Sequence, residues 1–170
     1  MGPVVRMLAL AMVGLALTDR GGSGTAGKVP VVASGDTWDL GFGNELRGGA
    51  PCFALDDRRG SFLLCTDLVY PELGSGVVEP LWGEGSLVFG TVSTRVATVE
   101  VALGDGSVVA TNPIAPPETV TIERNLFVLE IDQTHGSAVA TILDGQGRRL
   151  ADAEFRWEEG LGGSVRFEAL

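Results

Sequence analysis

One group of residues, centred on the only histidine, His135, has the types and spacing that nucleophilic catalysis needs. Ser137 follows two positions later, and Asp132 or Asp144 could supply the carboxylate of a Ser/His/Asp arrangement. Serine nucleophiles of this class often sit on a strained turn within a G-x-S-x-G motif, which is absent around Ser137. Residues 134–137 (THGS) are instead typical of a turn between strands. We therefore predict no catalytic residue and keep a hydrolase site around His135 as an alternative hypothesis.

Groups that could hold a metal ion or a cofactor show no recognisable pattern. Asp56-Asp57 and Glu158-Glu159 could donate oxygen atoms to calcium, but neither pair lies in a calcium-loop motif. Two cysteines and one histidine are too few for a zinc site of the usual kind. The sequence therefore predicts neither a metal site nor a cofactor.

Three residues fit non-covalent binding better than catalysis. Arg58 and Arg59 are adjacent cations in a chain whose formal net charge is −10, so they are a candidate contact for an anion. Trp82 lies in a stretch rich in glycine and proline, where a large aromatic side chain either packs on the core or projects from a binding loop. Arg58, Arg59 and Trp82 are the candidate binding residues.

The two cysteines, Cys52 and Cys65, predict a disulfide. Residues 57–60 (DRRG) lie midway between them and have the aspartate-first, glycine-fourth pattern of a type I turn. A hairpin about this turn places Cys52 opposite Cys65, with Cα atoms about 4.5–5.5 Å apart, which is within disulfide range. Such a structural disulfide indicates an oxidising compartment outside the cytoplasm.

The elements that would position these residues are strands. The composition includes 25 glycines and 8 prolines, which points to short strands joined by turns. The clearest case is residues 86–112, where Asp105-Gly106 predicts a two-residue type I′ turn. Pairing outward from that turn sets Leu103 opposite Val108.

Four other stretches add to the β pattern. Residues 126–131 (LFVLEI) are apolar on both faces, as in a strand covered on two sides. Residues 144–147 (DGQG) predict another hairpin turn. Residues 70–85 hold two prolines and four glycines and predict a long loop between sheets. Near the end of the chain, pairing Trp157 with Phe167 places opposite charges across from each other.

Together these patterns predict an all-β fold, an antiparallel β-sandwich with Ig-like or Greek-key connections, over residues 27–170 as one domain. Residues 1–26 are predicted to be a signal peptide, or an N-terminal anchor helix followed by a linker. Arg6 precedes an apolar run at residues 7–17. As a helix, this run would span about 16 Å against a hydrocarbon core of about 30 Å. Cleavage and retention both remain open.

The charge of the chain excludes some partners. The sequence has 22 acidic residues against 12 lysines and arginines, and a chain this acidic repels nucleic acid and anionic lipid head groups. The expected partner is an unknown protein or small-molecule ligand. Membrane contact is expected only through residues 1–26, if they are not cleaved.

Four segments together resemble a group of uncharacterised, small, exported or membrane-anchored β-domain proteins of high-GC bacteria. They are TWDL at 37–40, GGAPCFALDDRRGSFLLC at 48–65, VATVEVALGDGSVVAT at 96–111 and ATILDGQGRRLA at 140–151. The resemblance covers about residues 35–151. It implies an extracytoplasmic β-domain and no established activity.

The leading functional hypothesis is a non-enzymatic module for binding or sensing, secreted or in the cell envelope, with its site on loops. A hydrolase with a site around His135 is one alternative. A structural envelope or assembly subunit that pairs through edge strands is the other.

Overall fold

The computed structural model describes residues 29–44, 51–58, 60–65, 73–81, 85–158 and 161–167. Over these residues the chain is all-β, with twelve strands in antiparallel sheets and no helix, as the sequence predicts. The strands are β1 (Val31–Ser34), β2 (Asp39–Gly43), β3 (Cys52–Asp57), β4 (Gly60–Cys65), β5 (Gly74–Pro80), β6 (Ser86–Ser93), β7 (Val96–Leu103), β8 (Val108–Thr111), β9 (Arg124–Ile131), β10 (Gly136–Asp144), β11 (Arg149–Trp157) and β12 (Gly163–Phe167).

The predicted export or anchor segment, residues 1–26, lies outside the described residues. Within the described ranges, no helix is long and apolar enough to cross a membrane. The signal-peptide prediction therefore stays a prediction.

The chain folds as two compact units, and the larger one contains β5–β12. We call it the sandwich unit. It has two four-stranded antiparallel sheets, in the orders β11-β10-β7-β8 and β12-β5-β6-β9. One buried cluster draws side chains from both sheets, including Val99 and Ile142 from the first and Val88, Phe127 and Phe167 from the second. This unit is therefore sandwich-like.

The smaller unit contains β1–β4 in the order β1-β2-β3-β4, and we call it the meander unit. Phe42 on β2 and Phe53 on β3 are cross-strand partners whose ring centroids lie 4.6 Å apart. Cys52 pairs with Cys65 across β3 and β4, with a Cα–Cα distance of 4.1 Å, and the two form a disulfide. The predicted disulfide is confirmed, and it is compatible with a location outside the cytoplasm.

The β7–β8 hairpin differs from its predicted register by one residue. Ala102, rather than Leu103, lies opposite Val108. Because side chains alternate between faces, this shift changes which β8 residues point inward. Val109 packs against the core of the sandwich unit.

The cause of the shift is the conformation of the loop. A type I′ turn needs positive φ at both central residues, but only Gly106 has it, at +85°. The loop instead has three residues, closed by hydrogen bonds from Gly106 N to Leu103 O at 2.9 Å and from Leu103 N to Ser107 O at 2.8 Å. Asp105 stays at negative φ, where its carboxylate accepts the Ser107 main-chain N–H. An aspartate bonded in this way favours the longer loop.

Residues 70–85 were predicted to be a long loop, which is wrong because they contain β5 (Gly74–Pro80). Gly76 on β5 pairs with Gly90 on β6, which pairs with Phe127 on β9. A Cβ atom on Gly76 would lie 2.8 Å from Phe127 Cζ. The absence of a side chain at Gly76 therefore leaves room for the ring of Phe127 to pack against β5.

The predicted pairing of Trp157 with Phe167 is also wrong. β12 pairs with β5, so Phe167 lies opposite Gly74, in the sheet that does not contain β11. Opposite-charge pairs across strands are worth about 0.2–1 kcal/mol each. Burial of a side chain such as Val165 or Phe167, both enclosed in the core, is worth about 1.5–3 kcal/mol. The free energy gained by burying these side chains therefore exceeds that of the surface charge pairs, and it determines that β12 pairs with β5.

Two other local predictions are confirmed. Leu126, Phe127, Val128 and Leu129 are consecutive and all buried, so β9 is covered on both faces. Residues 144–147 form the turn of the β10–β11 hairpin.

Candidate functional site at one end of the sandwich unit

Residues 104–107 between β7 and β8 and residues 132–135 between β9 and β10 meet at one end of the sandwich unit, which we call the loop end. The strand ends that lead to Leu81 and Gly85, and those that lead to Glu158 and Leu161, lie at the same end. The registers bring them together, because Ser86 pairs with Ile131 in one sheet and Leu103 pairs with Ala138 in the other. Loops held together on a β scaffold are a common location for binding residues.

The 132–135 connection is held by hydrogen bonds from two buried side chains. Ser86 is fully buried, and its Oγ donates to the main-chain oxygen of Gln133 at 2.7 Å. Trp157 Nε1 donates to the same oxygen at 3.4 Å. Ser86 and Trp157 lie on different sheets, so this loop is tied to both.

The Gln133 side chain joins this loop to the β7–β8 loop. Its Nε2 donates to Asp105 Oδ2 at 3.0 Å. The other carboxylate oxygen, Oδ1, accepts from the hydroxyl of Ser107 at 2.6 Å and from its main-chain N–H at 2.8 Å. These hydrogen bonds, that of the Ser107 hydroxyl first, hold the pKa of Asp105 below its ordinary value of 3.8.

We expect an NMR titration of the Asp105 carboxyl carbon to give a pKa below 3.8, and Ser107→Ala to move it upward. Because the folded-state pKa is depressed, the contribution to stability is present above the unfolded-state pKa and is lost as the pH falls through the folded-state value. A wild-type midpoint at or above 3.8 that Ser107→Ala leaves unchanged would contradict this account of the loop.

His135 lies at the loop end but lacks the contacts of a catalytic histidine. Its side chain is exposed, and the Thr134 hydroxyl lies 3.3 Å from its Nδ1. Asp132 and Ser137 are also exposed, and in the described part of the chain no carboxylate contacts the His135 ring. A Ser/His/Asp mechanism needs the ring in contact with both a hydroxyl and a carboxylate. The geometry therefore lends the hydrolase hypothesis no support.

Of the three predicted binding residues, the structure describes only Arg58. Arg58 is exposed at the turn between β3 and β4 in the meander unit. Arg59 and Trp82 lie outside the described residues, so their roles stay predictions. In sequence, Trp82 lies between Leu81 and Gly85. The main-chain N–H of Leu81 donates a hydrogen bond to the main-chain oxygen of Gly85 at 2.9 Å.

Sequence reasoning missed the residues that organise the loop end. Ser86 and Gln133 are 47 positions apart, and nothing local links them. One signal is present in the sequence: Ser86 directly precedes an apolar run, where a polar residue that becomes buried needs a hydrogen-bond partner.

Within the described ranges, no three His, Cys, Asp or Glu side chains are grouped as a metal-binding cluster. No protein-family model matches the chain, and no curated protein or solved structure matches it either.

Proposed function

We propose that this protein is a non-enzymatic extracytoplasmic β-sandwich module that binds a protein or small-molecule ligand, in a binding or sensory role, through its loop end. The observation that carries this proposal is the cross-linking of residues 104–107 and 132–135 by Gln133. Loops already held in place lose less conformational entropy when they bind, so a pre-organised loop surface favours recognition.

The chemistry of the loop end favours a polar ligand. Asp105, Asp132 and His135 are exposed there, and they offer carboxylate oxygens and an imidazole as hydrogen-bonding groups. Their arrangement suits reversible contact better than bond breaking, because the His135 ring has no carboxylate contact among the described residues.

Export of the protein is part of the same proposal. The disulfide between Cys52 and Cys65 is compatible with an oxidising compartment. Residues 1–26 have the charge and length of a signal peptide or an anchor, which supports the same location.

We further propose that the sandwich unit is Ig-like. If β5 is counted as the first strand of the unit, one sheet contains the first, second and fifth strands, which are β5, β6 and β9. The other sheet contains the third, sixth and seventh strands, which are β7, β10 and β11. Ig-like sandwiches divide their strands in this way. The fourth strand, β8, pairs with the third, and β12 extends the first sheet as an extra strand.

The proposal is tested by co-purification from the native envelope with the full chain as bait. Thr134→Arg and His135→Glu change the loop end, and Gln146→Arg changes the exposed turn of the β10–β11 hairpin at the opposite end. We expect a partner retained by the wild type and by Gln146→Arg to fall by about tenfold or more with the loop-end variants, the effect of losing one strong contact.

Circular dichroism confirms that each variant is folded. If the loop-end variants retain every partner that the wild type retains, binding through the loop end is wrong.

A further inference from the structure

The outer face of the sheet β11-β10-β7-β8, on the side away from the core, carries an apolar row. Ala102 pairs with Val108 on one side and with Val139 on the other, so the three side chains lie next to each other across three strands. Glu154 pairs with Val139 and ends the row. We infer that this outer face is a second interaction surface, for a protein partner whose contact area is apolar and bordered by lysine or arginine.

The row departs from what a solvated sheet face normally carries. In an antiparallel sheet with one face on the core, outward positions are usually polar. Here Val139 is 37% exposed and Ala102 is exposed, whereas their chain neighbours Val101 and Ala140 are 1% exposed. Alanine and valine side chains are short, so they leave a flat apolar surface that suits contact with another protein.

Two carboxylates lie beside the row, and Arg156 lies on the same face, two positions from Glu154. Glu100 lies in the next row, opposite Thr141, and Glu154 lies beside Val139. Neither forms an ion pair with another described residue. The neighbouring Asp152, by contrast, pairs with Arg149.

The negative charge of this face and of the whole chain favours a basic partner over a second copy of the protein. A second copy seated on this face would place two chains against each other that each carry a net charge of −10. Like charges brought together in an interface are unfavourable, whereas lysine or arginine on a partner would pair with both carboxylates. Four strands about 4.8 Å apart span only about 14 Å, so the contact belongs to the small, transient class of interfaces.

The test uses two synthetic peptides as probes, one of alternating valine and lysine and one of alternating valine and glutamate. Each is titrated into the isotopically labelled full chain and followed by NMR. We expect the valine–lysine peptide alone to bind and to shift the amide signals of Ala102 and Val139. Val139→Lys is expected to weaken this binding by about tenfold, the loss of one well-buried contact.

Matched variants separate the outer face from general attraction to an acidic protein. Val31→Lys adds the same charge at another exposed valine, 51% exposed on the meander unit, and is expected to leave the affinity nearly unchanged. Glu100→Gln with Glu154→Gln should weaken binding, whereas Glu118→Gln with Glu123→Gln, which removes the same charge at other exposed sites, should not. Equal effects of Val139→Lys and Val31→Lys, equal binding of both peptides, or self-association through Val139 would overturn the inference.

Discussion

Replacing Phe127 with alanine is expected to lower the free energy of unfolding of the sandwich unit by about 3–5 kcal/mol. Phe127 is 1% exposed, and its ring meets that of Phe167 edge to face, with centroids 6.2 Å apart. Its Cζ atom lies only 2.8 Å from the position of a Cβ on Gly76, so β5 has no side chain there to fill the space. The variant therefore loses both buried apolar area and packing contacts.

The measurement for Phe127→Ala is urea unfolding followed by the fluorescence of Trp157, which is buried in the same unit. Leu161→Ala is the control, because Leu161 is 63% exposed and its loss should change stability by no more than about 0.5 kcal/mol. A Phe127→Ala effect as small as that of Leu161→Ala would show that the ring is not part of a packed core.

Removing the disulfide by Cys52→Ala with Cys65→Ala is expected to destabilise the meander unit by about 3 kcal/mol. The two residues are separated by 13 positions, and the bond restricts that loop in the unfolded chain. Cys52 is fully buried, so its sulfur also contributes packing.

The fluorescence of Trp38, which is 4% exposed in the meander unit, reports its unfolding. A Trp82→Phe, Trp157→Phe background isolates that signal. Reduction of the wild type with a thiol reagent should reproduce most of the loss. The disulfide is structurally neutral if the oxidised, reduced and double-alanine forms all unfold at the same urea concentration.

Local chemistry was enough to predict the elements whose partners are neighbours in sequence. The β3–β4 register follows from the Asp-Arg-Arg-Gly turn, because an uninterrupted hairpin leaves Cys52 opposite Cys65. Burial of β9 follows from its unbroken apolar run. These predictions succeed because the local preferences of the turn and strand residues agree with the final fold.

Predictions failed where the decisive contact is distant in sequence. In the sequence, Gly76 is typical of a loop. In the structure it is a strand residue, and the ring of Phe127, 51 positions later, packs against it. The charge pairs that predict a β11–β12 hairpin are weak, whereas burial of β12 in the core pairs it with β5. At the loop end, Gln133 organises the loops through contacts with residues distant in sequence. Its main-chain oxygen accepts from Ser86, and its side-chain amide donates to Asp105.

We propose that this disulfide-bonded β-protein works outside the cytoplasm, and the thiol state of its cysteines in living cells tests that proposal most directly. Cells are treated with an alkylating reagent before lysis, and the peptides containing Cys52 and Cys65 are analysed by mass spectrometry in each cell fraction. The account predicts unmodified cysteines joined in one cross-linked peptide, recovered from the envelope or the medium. Two alkylated cysteines in protein from the cytoplasmic fraction would contradict it.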